Sequence, residues 1–281
     1  MPLYDVSYRR FEGTRVRGPA RIWALARFQM LSLLKQRRFL FLMFASWIPA
    51  FVRGGQIYVA KQFPQAAPYL EVDQSLWRDF LSQQVSFLLV ILVALYAGSG
   101  SIASDLRSGA LVIYLSKPLS RMDYLVGKCI PLVSAILAVT VLPGFALLLF
   151  HLGLSENWSL LTESPWLPAS ILGYSLWLAA YFCLMVLAVS SLSRSPRLAA
   201  VGFVLLVLGS HALYGMAMRM SFGDAPAYLS LIGASVDVAD LFFGLATESG
   251  SSWGSLVVMT LLMVAGVGII DRRLRSSEVA T

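Results

Sequence analysis

Several residues in the chain have types and spacings that could do chemistry. Ser99 and Ser101, in a Gly-Ser-Gly-Ser run from Gly98, and His211 are the parts of a serine nucleophile and its base. Such an enzyme needs the two side chains within hydrogen-bond reach, and donors for the oxyanion. The serines fall near one end of their apolar run and His211 near the other end of its own. Close helix packing through small residues is therefore the favoured reading of Gly-Ser-Gly-Ser. Gly127-Lys128 looks like the end of a phosphate-binding loop. The full pattern also needs glycine five residues before Gly127 and Ser or Thr after Lys128. Those positions are Met122 and Cys129, so no nucleotide site is expected on this chain. His151 and His211 are the only histidines, and neither has a carboxylate or cysteine at ligand spacing. His151 reads as interfacial, and His211 as a hydrogen-bonding partner for a neighbouring helix. Cys129 and Cys183 both fall in apolar runs and read as small buried residues. Asp237 and Asp240 share one helical face and suit either a cationic ligand or a solvated edge.

The elements that would position these residues are set by composition. The 281 residues are 58% hydrophobic and only 13% charged, where soluble domains run near 25% charged. Apolar runs at 39–58, 83–103, 129–150, 169–192, 198–216 and 253–270 each approach the ~20 residues a helix needs to cross a bilayer. The fold class is an all-α polytopic membrane protein with six spans. A net charge of +7 could point to nucleic acid, but nine of the 22 basic residues precede Phe39. Only Arg53, Lys61, Arg78 and Arg219 fall on the opposite side from the other 18. Nine of the 15 acids lie with those four. This is the positive-inside bias, with both termini cytoplasmic. The first 38 residues are too polar for a cleavable signal peptide.

Between spans two and three lies residues 105–128, DLRSGALVIYLSKPLSRMDYLVGK. Arg107, Lys117, Arg121 and Lys128 place it in the cytoplasm. Its apolar centre, 110–115, suits a short helix that Pro118 ends, because proline has no N–H and clashes with the preceding turn. Ser120 with Asp123 forms a capping box for the next helix. Leu111 and Leu115 share one helical face, and Tyr114 is of the type enriched in binding hot spots.

The ordered set Ile102, Asp105, Gly109, Leu115, Ser116, Pro118, Ser120, Arg121, Gly127 and Lys128 resembles the ABC-2 family of ABC-transporter permeases. The closest flavour is the subfamily that includes the nitrous-oxide-reductase maturation permease. The resemblance implies a type V exporter-like bundle with an N-terminal elbow helix and a coupling helix between spans two and three. It implies that Asp105, Arg107, Gly109, Leu111, Tyr114, Leu115, Pro118 and Arg121 couple to an ATPase. It further implies a separate P-loop ATPase subunit, a second permease subunit (homo- or heterodimer) and export across the plasma membrane. No cofactor is expected on this chain, because ATP and Mg would sit on the partner. Membrane lipid is an expected partner and nucleic acid is not. An intramembrane serine protease and a non-transport scaffold are the competing readings.

Three domains of sequence result: 1–38 as tail and elbow helix, 39–270 as the six-span domain, and 271–281 as a cytoplasmic tail. On a wheel of 19–38, Arg21, Gln29, Ser32, Lys35 and Gln36 form a polar face opposite Trp23, Ala26, Met30, Leu33 and Leu34, while Leu25, Arg27 and Phe28 break the pattern. Such a helix suits the membrane surface. Pro49 should kink span one, and Arg53 should snorkel to the headgroups. Pro131 and Pro143 should bend span three. Segment 217–252 is read as outer, and its apolar part, 228–246, as a helix or hairpin that does not cross. Two aspartates are costly in lipid, and a further crossing would reverse the arginines at 272–275.

Overall fold

The computed structural model describes residues 18–63, 65, 74–82, 84–110, 120–155, 162, 164–220, 226–245 and 252–279. Among them there are only helices and their connections. In chain order these are α1 (Gly18–Leu34), α2 (Arg37–Ala45), α3 (Ile48–Gln62), α4 (Gln74–Ser82), α5 (Gln84–Gly98), α6 (Ala103–Ser108), α7 (Arg121–Leu154), α8 (Leu167–Leu192), α9 (Pro196–Met220), α10 (Leu231–Phe243) and α11 (Ser252–Val279), with a 3₁₀ turn at Ala227–Leu229. Six helical stretches among the described residues are long and apolar enough to cross a membrane: Arg37–Gln62, Ser86–Ser108, Arg121–Leu154, Leu167–Leu192, Pro196–Met220 and Ser252–Arg275. They are the six spans expected. α10 has 13 residues, about 20 Å of helix, which is short of the ~30 Å hydrocarbon core.

Span four is the axis of the bundle. Its apolar window is 67% buried, against 17% for spans one and five. Phe182 at its centre meets Phe87 of span two and Phe203 of span five, with ring centroids 5.3 and 6.4 Å away. Span one is two helices, broken at Ser46-Trp47, with Pro49 in the first turn of α3. Proline is tolerated there because that turn's N–H groups have no partner within the helix. Span three is one helix of 34 residues running through Pro131 and Pro143. Its first turn carries the expected capping box: Ser120 Oγ accepts from the Asp123 N–H at 3.1 Å, and Asp123 Oδ2 accepts from the Ser120 N–H at 3.1 Å.

α1 corrects the helical wheel. It ends at Leu34, and a corner at Lys35-Gln36 separates it from α2. The face turned to the bundle carries Ala26 and Leu33, both buried, and Gln29 between them points the same way, onto Ser101. Leu25, which the wheel leaves as an irregularity, packs on Gly127. Trp23 and Phe28 are exposed on the face turned away from the bundle. The corner is held by Tyr96 of span two, which donates to Gln36 Oε1 at 2.7 Å and stacks on Phe39.

Candidate functional site

The site begins with a break in span two. The helix stops at Gly98 and resumes at Ala103. A break inside a membrane bundle leaves backbone N–H groups that must find partners. Ser190 of span four supplies them. Its Oγ accepts from the N–H groups of Ile102 and Ala103 at 3.2 and 3.0 Å and donates to the Ser99 carbonyl at 2.8 Å. Gly98 is needed for this contact, because a Cβ there would lie 2.4 Å from Val186 Cγ1. The small-residue run thus serves close packing.

The restarted helix α6 carries Asp105 towards span three. Lys128 Nζ lies 2.8 Å from Asp105 Oδ2 and donates to the Ser101 carbonyl at 2.9 Å. Tyr124 donates its hydroxyl to the same Asp105 oxygen at 2.7 Å, and the Lys128 ammonium sits 5.5 Å from the Tyr124 ring centroid. Lys128 is buried, and its side chain is only 7% exposed. α1 closes the cluster from the side, where Gln29 Nε2 donates to Ser101 Oγ at 3.0 Å. A Cβ at Gly127 would lie 2.7 Å from Leu25 Cδ2, so glycine here lets the Leu25 side chain lie flat on span three. α1, span two, α6 and span three meet at this one ion pair. A cavity of about 280 Å³ lies beside it, with Gln29, Tyr96, Ser101, Asp105 and Lys128 in its wall.

The expected coupling residues divide around this cluster. Asp105 faces inward onto Lys128 and Tyr124. Arg107 is exposed at the end of α6. Gly109 closes that helix with φ of 69°, a left-handed conformation that glycine adopts without strain. Arg121 starts span three, and its guanidinium lies 3.9 Å from Asp271 at the end of span six. Leu111, Tyr114, Leu115 and Pro118 lie outside the described residues.

The opposite end of the bundle carries a second polar cluster. Arg78 of α4 donates from Nε to Asp240 of α10 and lies 2.8 Å from Asp79. Asp79 also lies 3.9 Å from Arg53 of span one. Arg78 lies outside the spans, and the hydrogen bond it donates to Asp240 raises its pKa above the ordinary value despite partial burial. Asp237 accepts from Ser255 of span six at 2.7 Å. Tyr174 and Ser170 of span four donate to the Ser235 and Phe242 carbonyls, at 3.0 and 2.7 Å. α4 and α10 therefore lie across the bundle end and are tied to spans one, four and six.

Three expectations are corrected here. Asp237 and Asp240 are not a solvated edge, because both are buried. Arg53 is mostly buried and bonds Gln56 and reaches Asp79 instead of snorkelling outward. His151 is buried, with its ring 5.6 Å from that of Trp77, because α4 covers it. His211 does bond a neighbour: Nδ1 is 3.0 Å from Ser230 Oγ, the cap of α10. That engages His211 at α10, while Ser101 accepts from Gln29, so the protease constellation is not assembled. Among the described residues no cluster of His, Cys, Asp or Glu fits a metal ion.

The model of the family described as "ABC-2 family transporter protein" matches residues 23–233, from α1 into α10. The chain belongs to the ABC-2 family. No curated protein matches it. A multi-pass transmembrane permease of an ABC transporter is what the family and the six apolar helices support together. In such a permease the Asp105–Lys128 cluster sits where the stretch between spans two and three joins the bundle. Sequence reasoning missed Ser190, Gln29 and Arg78. Gln29 was findable, because it lies three residues after Ala26 and four before Leu33 on one helical stripe.

Proposed function

We propose that this ABC-2 permease exports its substrate by alternating access, driven by ATP hydrolysis on a separate P-loop ATPase chain. The observation that carries this is the buried Asp105–Lys128 pair, which binds both ends of 105–128 to span two, span three and α1. A partner that pushes on 111–119 would then displace several elements as one body. Packed bundles respond to such a push by switching between discrete arrangements. ATP would close the ATPase dimer, the stretch would move, and α4 and α10 would part at the far end.

The proposed assembly holds two permease chains, identical or different, and two ATPases. Wide apolar faces on spans one and five, with Phe41, Phe44, Leu205 and Leu213 exposed, leave room for a second permease as well as lipid. The distribution of Lys and Arg favours cytoplasmic termini, and the family resemblance favours the plasma membrane. The residue order of 102–128 favours the nitrous-oxide-reductase maturation subfamily. The test is purification with native partners. A stoichiometric P-loop ATPase should accompany the wild type. Leu111→Asp or Tyr114→Ala should lower its yield roughly thirtyfold in affinity, which corresponds to ~2 kcal/mol. Normal co-purification by both variants would remove this reading.

A further inference from the structure

Span one and span three enclose a groove of about 420 Å³ whose walls include no residue of either polar cluster. Pockets for small ligands measure roughly 300–1,000 Å³. Trp47, Phe51, Gly54, Tyr58, Leu147 and Phe150 are among its walls, and Phe51 and Phe150 are exposed at its rim. The groove depends on two adjacent glycines that no close contact explains. A Cβ at Gly54 would meet Leu147 Cδ2 at an ordinary 3.7 Å, and one at Gly55 would meet nothing within 4 Å. Neither has positive φ. Each glycine costs a helix interior about 1 kcal/mol relative to alanine. At Gly98 and Gly127 a neighbouring side chain occupies the room; at Gly54 a methyl would fit in ordinary contact, and at Gly55 the room stays open.

Charge selects the occupant. Lys61 lies three residues after Tyr58, on the same side of α3, and is exposed. Among the described residues it has no ion-pair partner. Tyr58, apolar in body and polar at its tip, suits the boundary between acyl chains and headgroups. We propose that the groove binds an anionic amphiphile of the leaflet at the α4–α10 end. One acyl chain would lie between spans one and three, with the headgroup against Lys61 and Tyr58. A zwitterionic lipid would satisfy the walls but not the lysine, and a second copy of the chain would present apolar surface to it.

The probe is a phosphatidylglycerol with a photoactivatable diazirine in one acyl chain, added to phosphatidylcholine vesicles holding the full-length protein. Adducts are mapped by peptide mass spectrometry, with exposed Leu205 and Leu213 of span five as the reference for bulk lipid. Wild type should label at 47–58 and 143–150 above that reference. Unlabelled phosphatidylglycerol should compete roughly fivefold better than phosphatidylcholine, as one lysine beside an anionic group allows. Gly55→Leu should lower groove labelling while leaving span five and the melting temperature unchanged. Lys61→Gln should keep the label and lose the headgroup preference. Groove labelling no higher than on span five, or equal competition by the two lipids, would mean bulk lipid only and overturn the proposal. Labelling unchanged in Gly55→Leu, or a preference surviving in Lys61→Gln, would overturn it too. So would an unlabelled groove with two chains cross-linked through α3, which would make a second copy the occupant.

Discussion

At one end of the bundle Lys128 reaches back to Asp105, the two residues that bound the stretch between spans two and three. At the other, Arg78 reaches Asp240 across 162 residues. Each is a salt bridge with a buried partner, yet they join different things. The first binds two spans and α1 into one body, where under the proposed mechanism a force would enter. The second joins two helices that do not cross the membrane and lie over the bundle end. The burial differs as well. At the first end both side chains are nearly enclosed, 7% and 14% exposed; at the second the carboxylate is 2% exposed and the guanidinium 24%. A pair enclosed on both sides suits a joint that stays made, and one whose guanidinium water reaches suits a contact that opens and recloses.

This contrast predicts an order of effects. Asp105→Ala should be the most damaging change, because it leaves a buried ammonium without its counter-charge, a loss of about 3–5 kcal/mol. Thermal unfolding in detergent would measure it. Asp105→Leu with Lys128→Met should recover most of that loss, since apolar groups can replace a buried pair at little cost. If the double variant is as unstable as Asp105→Ala alone, the joint is not a simple ion pair. Asp240→Ala should cost less, about 1.5–3 kcal/mol, because the guanidinium it leaves is already reached by water and keeps Asp79. Equal losses at the two ends would erase the distinction.

Smaller changes sharpen it. Gly127→Val should push Leu25 away and cost about 1–3 kcal/mol by overpacking, with proteolysis at the α1–α2 corner as the readout. Ser190→Ala should strip acceptors from two buried N–H groups and cost about 1–3 kcal/mol. It should also speed amide hydrogen exchange at Ile102 and Ala103 relative to the helices on either side.

The same contrast explains what could be read from sequence. The six spans were legible because bilayer thickness sets a length that apolar runs must meet. The Asp105–Lys128 cluster was partly legible because its residues are close in the chain: Ser120 and Asp123 cap as their spacing requires, and Asp105 and Lys128 bracket the stretch. What Lys128 does was not legible, since a buried lysine declares itself only through its partners. The Arg78–Asp240 cluster was illegible. Arg78 and Asp240 each sit in a short helix with an ordinary local pattern, and only the folding of α4 and α10 onto one another brings them together. Taken singly, Asp240 looked solvated and Arg53 looked lipid-bound.

The central claim is that the Asp105–Lys128 joint carries motion from the stretch between spans two and three to α4 and α10. Spin labels on Phe63→Cys and Tyr228→Cys, at exposed positions beside α4 and α10, report that motion by pulsed distance measurement. The background is Cys129→Ala, Cys183→Ala, in the complex with its ATPase. The account predicts that a non-hydrolysable ATP analogue shifts the distance in this background. In Asp105→Asn the shift should vanish, although the ATPase still co-purifies. The same shift in Asp105→Asn, with the complex intact, would contradict it.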